Sequence, residues 1–222
     1  MFLVSGYGVG RLEQHYSAIE AAVAAGVERI VYTSFLAAAP WATFTHSREH
    51  YHTEQRIRAS GIRYTFLRPS FYLDKAPGWF SSEGIVKGPA GNGTIAWVSR
   101  DDLADVAVAV LTNDGHDGAS YDITSAQALT LAEAAEHFSR ATGRPASYQP
   151  ETLEEARDSR AKYNPTAWEL EAWVSTYLAI DTGEMSVVSH TVQALTGHAP
   201  QTFAGYLHQH PESYAHVNAQ LT

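Results

Sequence analysis

The first 34 residues carry a complete strand–helix–strand pattern, which constrains the fold more than any other feature of the chain. Residues 2–4 form a short apolar run that ends at Ser5, as a buried parallel strand would. Apolar residues then recur at helical spacing up to Val23, and Gly26 stands where a glycine commonly ends a helix. A second strand at 29–33 follows at once. The pattern predicts a parallel crossover and therefore an α/β domain.

The pattern repeats once, and helical signals then dominate. A predicted helix at 47–60 ends at Gly61 and leads into a third strand at 63–67. Residues 74–94 contain seven glycines and prolines, which predict a long functional loop with short strands. Later signals are a cap at Asp101, a strand at 120–124, capping boxes at Thr130 and Thr152, and an Asn164-Pro165 cap. We therefore expect one domain over 1–222, with an α/β part at 1–127 and a mainly helical lobe at 128–222.

Composition excludes several classes of function. The 222-residue chain has a net charge of -9 and only three lysines, so nucleic-acid binding has no electrostatic support. The absence of cysteine excludes thiolate catalysis and Cys-ligated zinc, and the histidines lack the spacing of a metal site, so we expect no metal. No apolar run approaches the ~20 residues that span a bilayer. Since no secretory leader precedes the first strand, we expect a cytoplasmic protein without a membrane partner.

The turn after the first strand contains three glycines where dinucleotide-binding folds carry G-x-G-x-x-G. Gly6, Gly8 and Gly10 are spaced G-x-G-x-G instead. The second strand also runs into Thr33 and Ser34, without the acidic residue expected to bind a ribose. The motif alone therefore favours a flexible turn over a pyrophosphate-binding loop.

Several segments, in this order, resemble the NmrA-like atypical short-chain dehydrogenases, and within them the type 2 NAD(P)H:quinone oxidoreductases. The matching segments are AAGVERIVYTS at 24–34, H-x-x-TE at 50–54, SGI-x-YT-x-LRPSFY at 60–72, GPAGNG at 88–93, DDLAD at 101–105 and TL-x-EA at 130–134, where x is a position outside the match. The resemblance implies a Rossmann-like, mostly parallel sheet. It also implies an NAD(P)-dependent oxidoreductase that transfers a hydride to a small planar substrate, such as a quinone.

The resemblance aligns the first strand of this chain with the fourth strand of the family. About 70 residues of the family fold, by the length of βαβ units, then have no counterpart, and the glycine-rich phosphate loop is among them. We therefore expect a sheet truncated in its N-terminal half, and NADP or NAD binding that is weakened or lost. We also expect an exposed apolar edge at residues 2–4, through which copies of the chain associate.

The resemblance further implies a set of site residues. The family's cofactor-contacting positions match Gly6, Arg11, Pro69, Ser70, Phe71, Tyr72, Leu73 and Asp74. Thr33 and Ser34 end the neighbouring strand, where their hydroxyls either bind ribose or substrate or only cap the turn. The Tyr-x-x-x-Lys pair of classical relatives is absent, so His50 or Tyr72 is the candidate proton donor. His50 is also interpretable as a helix-face residue with no chemical role.

The substrate pocket is expected between the 74–94 loop and the helical lobe. Trp168, Trp173 and Tyr177 are interpreted as lobe core, or as an aromatic wall that suits a planar ligand. The alternative function is a non-catalytic NAD(P)-sensing regulator, or a remnant that no longer binds nucleotide.

Overall fold

The computed structural model describes residues 1–218, in which eight strands and nine α-helices form. The strands are β1 (Phe2–Leu3), β2 (Arg29–Thr33), β3 (Arg63–Pro69), β4 (Ile85–Gly88), β5 (Thr94–Ile95), β6 (Ser120–Ile123), β7 (Leu129–Thr130) and β8 (Ser147–Pro150). The helices are α1 (Arg11–Ala24), α2 (Thr45–Ala59), α3 (Arg100–Thr112), α4 (Leu131–Thr142), α5 (Leu153–Ala161), α6 (Ala167–Asp181), α7 (Thr191–Thr196), α8 (Phe203–Gln209) and α9 (Ala215–Asn218). Short 3-10 helices lie at Ala76–Trp79 and Pro211–Tyr214.

The central sheet is parallel throughout, with strand order β1-β2-β3-β6. Phe2 pairs with Val31, and Phe66 pairs with Ser120. The three strands predicted in the first 67 residues all lie in this sheet, as does the strand predicted at 120–124. Helices between the strands make the crossovers that parallel pairing requires.

Both faces of the sheet are covered, which explains why β2 is a continuous buried run from Ile30 to Thr33. Ile30, Tyr32 and Phe66 pack on the face that holds α1 and α2. Val31 and Leu67 point to the opposite face, against α3 and α7. Successive side chains of β2 therefore point to opposite faces of the sheet, and Tyr32 points to the face that holds α1 and α2.

The largest hydrophobic cluster joins the sheet end of the molecule to the lobe, with Leu73 and Phe80 packed against Phe138 and Ile180. Two short strand pairs strengthen the same junction: β4 with β8, and β5 with β7. Strands β7 and β8 lie within 128–222 and were not predicted, so the lobe is mainly helical but not wholly so. The division at 127/128 stays a prediction, and this cluster has members on both sides of it.

Two helix starts differ from the sequence-based prediction. The N-cap of α3 is Ser99 rather than Asp101, because the Ser99 hydroxyl accepts a hydrogen bond from the backbone N–H of Asp102 at 2.9 Å. Helix α6 starts after Thr166, which forms a capping box with Glu169, and not after Asn164. A capping box satisfies two backbone donors reciprocally, which Asn-Pro cannot do. The boxes predicted at Thr130 and Thr152 are confirmed.

Strand β1 lies at an edge of the sheet and bonds to β2 alone within residues 1–218. Phe2 is 41% exposed and Val4 is 62% exposed. The apolar edge expected from the sequence is therefore present in this structure. None of the helices within residues 1–218 combines the length and apolarity needed to cross a bilayer.

Candidate active site

A buried polar network joins α1, α2 and β2 at the carboxyl end of the sheet. Arg11 is only 3% exposed; its Nη2 donates to His50 Nε2 at 2.9 Å and its Nη1 to Glu49 Oε2 at 3.2 Å. A guanidinium can only donate, so His50 carries its proton on Nδ1 and donates it to the Tyr32 hydroxyl at 2.8 Å. Burial, and then the charge of Arg11, holds the pKa of His50 well below its ordinary value. His50 is therefore neutral, and both its ring nitrogens have partners.

A second histidine of this network holds the glycine-containing turn. The backbone N–H of Gly6 donates to His15 Nε2 at 2.9 Å, so His15 Nδ1 carries the proton and donates to Thr53 Oγ1 at 2.9 Å. Burial, with a smaller contribution from Arg11, lowers the pKa of His15 to about 4. Gly6 also approaches α1 closely, since a Cβ there would lie 3.2 Å from Gln14 Oε1. Gly6 and Arg11, both predicted to contact the cofactor, thus share one network.

The hydroxyls that end β2 have partners inside the protein. Thr33 Oγ1 accepts from the backbone N–H of Ser5 at 2.8 Å, which holds the end of β1. Ser34 Oγ donates to Glu54 Oε1 at 2.7 Å, and the fully buried Glu54 also accepts from Arg68 Nε and Nη2 at 2.8 and 2.6 Å. These contacts fit the turn-capping interpretation, and ribose binding by either hydroxyl stays a prediction.

The segment after β3 begins with an unsatisfied polar group. Pro69 ends the strand, and the fully buried Ser70 hydroxyl has no hydrogen-bond partner within residues 1–218. Burying such a group unpaired costs about 1–3 kcal/mol. Phe71 follows, with its ring centroid 4.9 Å from that of Phe35 and 5.0 Å from that of Phe44. A ligand that offers a carboxamide at this strand end would satisfy Ser70, so these residues fit the nicotinamide half of a dinucleotide.

The rest of that segment turns away from the His50 network. Tyr72 packs with the cluster on the α3 face, where the Arg100 guanidinium lies 4.8 Å from its ring, and burial raises the pKa of Tyr72. Leu73 is fully buried in the core, and Asp74 forms an ion pair with Arg100 at 2.8 Å. His50 and Tyr72 thus lie on opposite faces of the sheet, so the structure does not bring the two candidate proton donors together.

An aromatic group links the turn to the helical lobe. The Tyr7 ring lies 5.3 Å from Trp168 and 5.9 Å from His46, and the Trp168 and His46 rings stack at 4.6 Å. Trp168 Nε1 donates to Glu49 Oε1 at 3.0 Å, and Glu49 also holds Arg11. Trp168 is therefore not lobe core: it connects α6 to the polar network.

A cavity of about 680 Å³ lies between the 74–94 segment and helices α5 and α6, where the substrate pocket was expected. Trp79, Trp173 and Tyr177 line it. Tyr177 also packs against the largest hydrophobic cluster, so it belongs to the lobe core as well as to the cavity wall. The Trp79 ring lies 5.5 Å from Tyr177 and 5.9 Å from Phe71. A row of aromatic rings therefore runs from the end of β3 into the cavity.

Sequence analysis missed most of the buried polar partners: His15, Tyr32, Glu49 and Thr53. One signal on α2 could have revealed two of them, Glu49 and Thr53. Positions 46, 49, 50 and 53 lie on one face of α2 at i, i+3, i+4 and i+7, the spacing of a buried stripe, and all four are polar. A polar stripe at buried spacing indicates an internal hydrogen-bond network rather than a solvated surface.

Comparison with known proteins decides the family. Residues 2–114 match the family model described as NAD(P)H-binding. The chain belongs to this NAD(P)H-binding family. It is 34% identical over 200 residues to the (4-alkanoyl-5-oxo-2,5-dihydrofuran-3-yl)methyl phosphate reductase of Streptomyces griseus, covering 88% of this chain and 70% of that one. It is 29% identical to the NAD(P)H azoreductase of Xenophilus azovorans, covering 96% of this chain and 76% of that one.

The fold also matches solved structures. The NADPH-dependent quinone oxidoreductase of Escherichia coli, complexed with NADPH, superposes with a TM-score of 0.86 at 29% identity, covering 94% of this chain and 75% of that one. These findings confirm the predicted Rossmann-like fold, the NmrA-like resemblance, and the assignment to oxidoreductases that use NADP or NAD. Because these relatives are reductases, the findings favour that assignment over a non-catalytic regulator.

Proposed function

We propose that this protein reduces a planar conjugated acceptor, such as a quinone, by hydride transfer from NAD(P)H. The observation that carries the proposal is the row of rings from Phe71 through Trp79 to Tyr177, which leads from the strand end into the cavity. Dinucleotides bind outside the carboxyl ends of parallel strands, and the cavity has the size of a small-molecule site. The relatives are named for a quinone, an azo compound and an oxo-dihydrofuran, which are all unsaturated electron acceptors.

The cofactor positions remain those predicted from the sequence. We assign Ser70 and the neighbouring backbone of Pro69 and Phe71 to the carboxamide of the nicotinamide, because the Ser70 hydroxyl is buried and unpaired within residues 1–218. Gly6 and Arg11 form the neighbouring wall of the cofactor site, where Gly6 is held by His15 and Arg11 by His50. The reduced nicotinamide, when bound, supplies the hydride.

Reduction of one quinone consumes one NAD(P)H and one proton and yields NAD(P)⁺ and a hydroquinone. His50 is a poor source of the proton, since its pKa is low and both its nitrogens are engaged. Tyr72 lies on the other face of the sheet. We therefore assign the proton to solvent water that reaches the open cavity. The chain itself positions the acceptor and excludes acceptors that do not fit the aromatic wall.

The test measures loss of reduced-nicotinamide absorbance with NADPH or NADH and a naphthoquinone or an azo dye. We expect turnover, and we expect Trp79→Ala to raise KM at least tenfold while Trp79→Phe, which keeps an aromatic wall, stays near the parent. Calorimetric titration of NADPH into both variants checks that cofactor binding is unchanged. NADPH binding without turnover of any acceptor would support the regulator alternative instead.

Two further assignments stay proposals. The exposed Phe2 and Val4 at the β1 edge support association of two copies. Sedimentation velocity should show a concentration-dependent dimer that Val4→Lys reduces to monomer; a monodisperse parent monomer would rule the dimer out. The cytoplasmic location is tested by fractionating cells that express the protein.

A further inference from the structure

The cavity is lined by charged as well as aromatic side chains. Its charged residues are Glu83, Lys87, Glu151, Arg160 and Lys162. Arg160 Nη1 donates to Glu151 Oε2 at 2.8 Å, and both side chains are largely buried. This pair neutralises itself within the wall, and Arg160 is further held by the carbonyl oxygen of Lys87 at 2.9 Å.

The two lysines keep their charge available to a ligand. Both are exposed, and neither forms an ion pair within residues 1–218. The chain carries a net charge of -9 and has only three lysines, so two of the three lie at this one cavity. Glu83 is the one carboxylate among the lining residues that no cation pairs with in the described part of the chain. The cavity is therefore locally positive on an acidic molecule.

The aromatic wall lies beside these lysines. Trp79, Tyr163, Trp173 and Tyr177 line the same cavity, and Lys162 Nζ lies 5.1 Å from the Tyr163 ring. A planar ring system would bury its faces against these side chains, and an acidic group at its rim would then lie within reach of the ammonium groups.

We propose that the cavity selects planar aromatic acceptors that carry an anionic substituent, a sulfonate or a carboxylate, with Lys87 and Lys162 as the partners of the anion. The inference rests on the proposed function, because it names the substrate class of the same cavity. At physiological salt, attraction between exposed charges is largely screened beyond about 8 Å, and this distance shortens as salt is added. The preference therefore depends on ionic strength.

The experiment compares two ligands of nearly equal shape, anthraquinone sulfonate and neutral hydroxymethyl-anthraquinone, by quenching of tryptophan fluorescence without NAD(P)H. We expect the parent protein to bind the sulfonate about tenfold more tightly. Lys87→Met with Lys162→Met should remove that preference, at up to roughly fivefold per lysine, and leave binding of the neutral ligand unchanged. Lys75→Met, the matched control at the remaining lysine, should bind both ligands as the parent does. Added salt should weaken binding of the sulfonate only.

Equal binding of the two ligands by the parent protein would overturn the inference, as would an equal loss in Lys75→Met. The proposed function and the selectivity can be refuted independently of each other. Turnover of the neutral quinone without a sulfonate preference would refute only the selectivity. A sulfonate preference without any oxidation of NAD(P)H would refute only the hydride transfer. Far-ultraviolet circular dichroism of each variant verifies that the substituted proteins are folded.

Discussion

Replacement of Glu54 by glutamine tests the most deeply buried ion pair of the candidate site. Glu54 is fully buried on α2 and accepts three short hydrogen bonds, two from Arg68 on β3 and one from Ser34 at the end of β2. Glutamine keeps the shape and one acceptor oxygen. Its amide group is a donor, however, and in either orientation it would face an N–H of Arg68, which can only donate.

The expected loss follows from these contacts. Hydrogen bonds to charged groups contribute about 1.5–3 kcal/mol each, and breaking a buried ion pair by removing one partner costs about 3–5 kcal/mol. Arg68 retains 22% exposure and can be partly resolvated. We therefore expect Glu54→Gln to lower the free energy of unfolding by about 3 kcal/mol, at the low end of that range. Glu54→Leu combined with Arg68→Leu removes both charges and should be less destabilising than Glu54→Gln alone.

The assay is equilibrium unfolding in urea, followed by circular dichroism. The matched control is Glu28→Gln, since Glu28 also pairs with an arginine, Arg63 at 3.1 Å, but is 84% exposed. The control should lose less than about 0.5 kcal/mol, as exposed pairs do. Two results would contradict this reasoning: a loss below about 1 kcal/mol for Glu54→Gln, or a double-leucine variant less stable than Glu54→Gln. Either would show that the Arg68 charge does not need Glu54 as its partner.

Three further predictions follow from single contacts. The pKa of His15 is about 4 in the folded protein, against an ordinary value of 6.5. Between these pH values His15 binds a proton in the unfolded chain but not in the folded one. The free energy of unfolding therefore falls as the pH drops from 6.5 towards 4, by about 3 kcal/mol in total. Urea unfolding across that range should show a flatter dependence in His15→Gln, and equal slopes would contradict the assignment. Gly93→Ala should destabilise the fold more than Gly88→Ala in thermal unfolding, because a Cβ at Gly93 meets the backbone of Ile180 whereas one at Gly88 meets a side chain, the ring of Tyr177. The loss for Gly88→Ala should be about 1–3 kcal/mol. Thr166→Ala should cost about 1 kcal/mol in urea unfolding by removing the cap of α6, whereas Thr166→Ser keeps the hydroxyl and should stay near the parent; equal losses in the two variants would refute the cap assignment.

The correctly predicted elements are those whose sequence signal is local. The apolar runs of β2 and β3, the glycine that follows α1 and the capping boxes at Thr130 and Thr152 depend on residues only a few positions apart. The same local logic failed at Ser99, because Asp101 is also an acceptable cap and only the geometry shows which side chain accepts from Asp102. The pairing of β4 with β8 was also missed, since the two strands lie far apart along the chain and neither has a distinctive pattern.

The site was predictable only in part. The resemblance pointed to Arg11 and His50, but nothing local indicated that the two are hydrogen-bonded to each other. Ser70 was among the predicted positions, and its unpaired hydroxyl is visible only once the end of β3 is enclosed by the fold. The link that Trp168 makes between α6 and the polar network depends on a hydrogen bond to Glu49, which lies 119 positions away in the sequence. Contacts of this kind are set by how the lobe packs on α2, which no short pattern encodes.

The crowding of three histidines around Arg11 gives the network one shared property. The charge of Arg11 contributes to lowering the pKa of His15, His46 and His50, although burial is the larger cause for each. Neutral imidazoles are what the geometry requires, because Nε2 of His15 must accept from Gly6 and Nε2 of His50 must accept from Arg11. Protonation would turn each of these acceptors into a donor facing a donor.

The hydrogen bond that holds Gly6 forms only while His15 is uncharged, so acid should loosen this turn before it disturbs the sheet beneath. Hydrogen exchange followed by mass spectrometry between pH 7 and 4, corrected for the intrinsic pH dependence of exchange, should show loss of protection in residues 5–10 ahead of residues 29–33. The reason is that the Gly6 N–H depends on a titratable acceptor, whereas the N–H of Val31 in β2 bonds to the carbonyl oxygen of Met1, which does not titrate. Simultaneous loss of protection in both segments would show that acid unfolds the sheet as a whole, and that the turn has no separate dependence on His15.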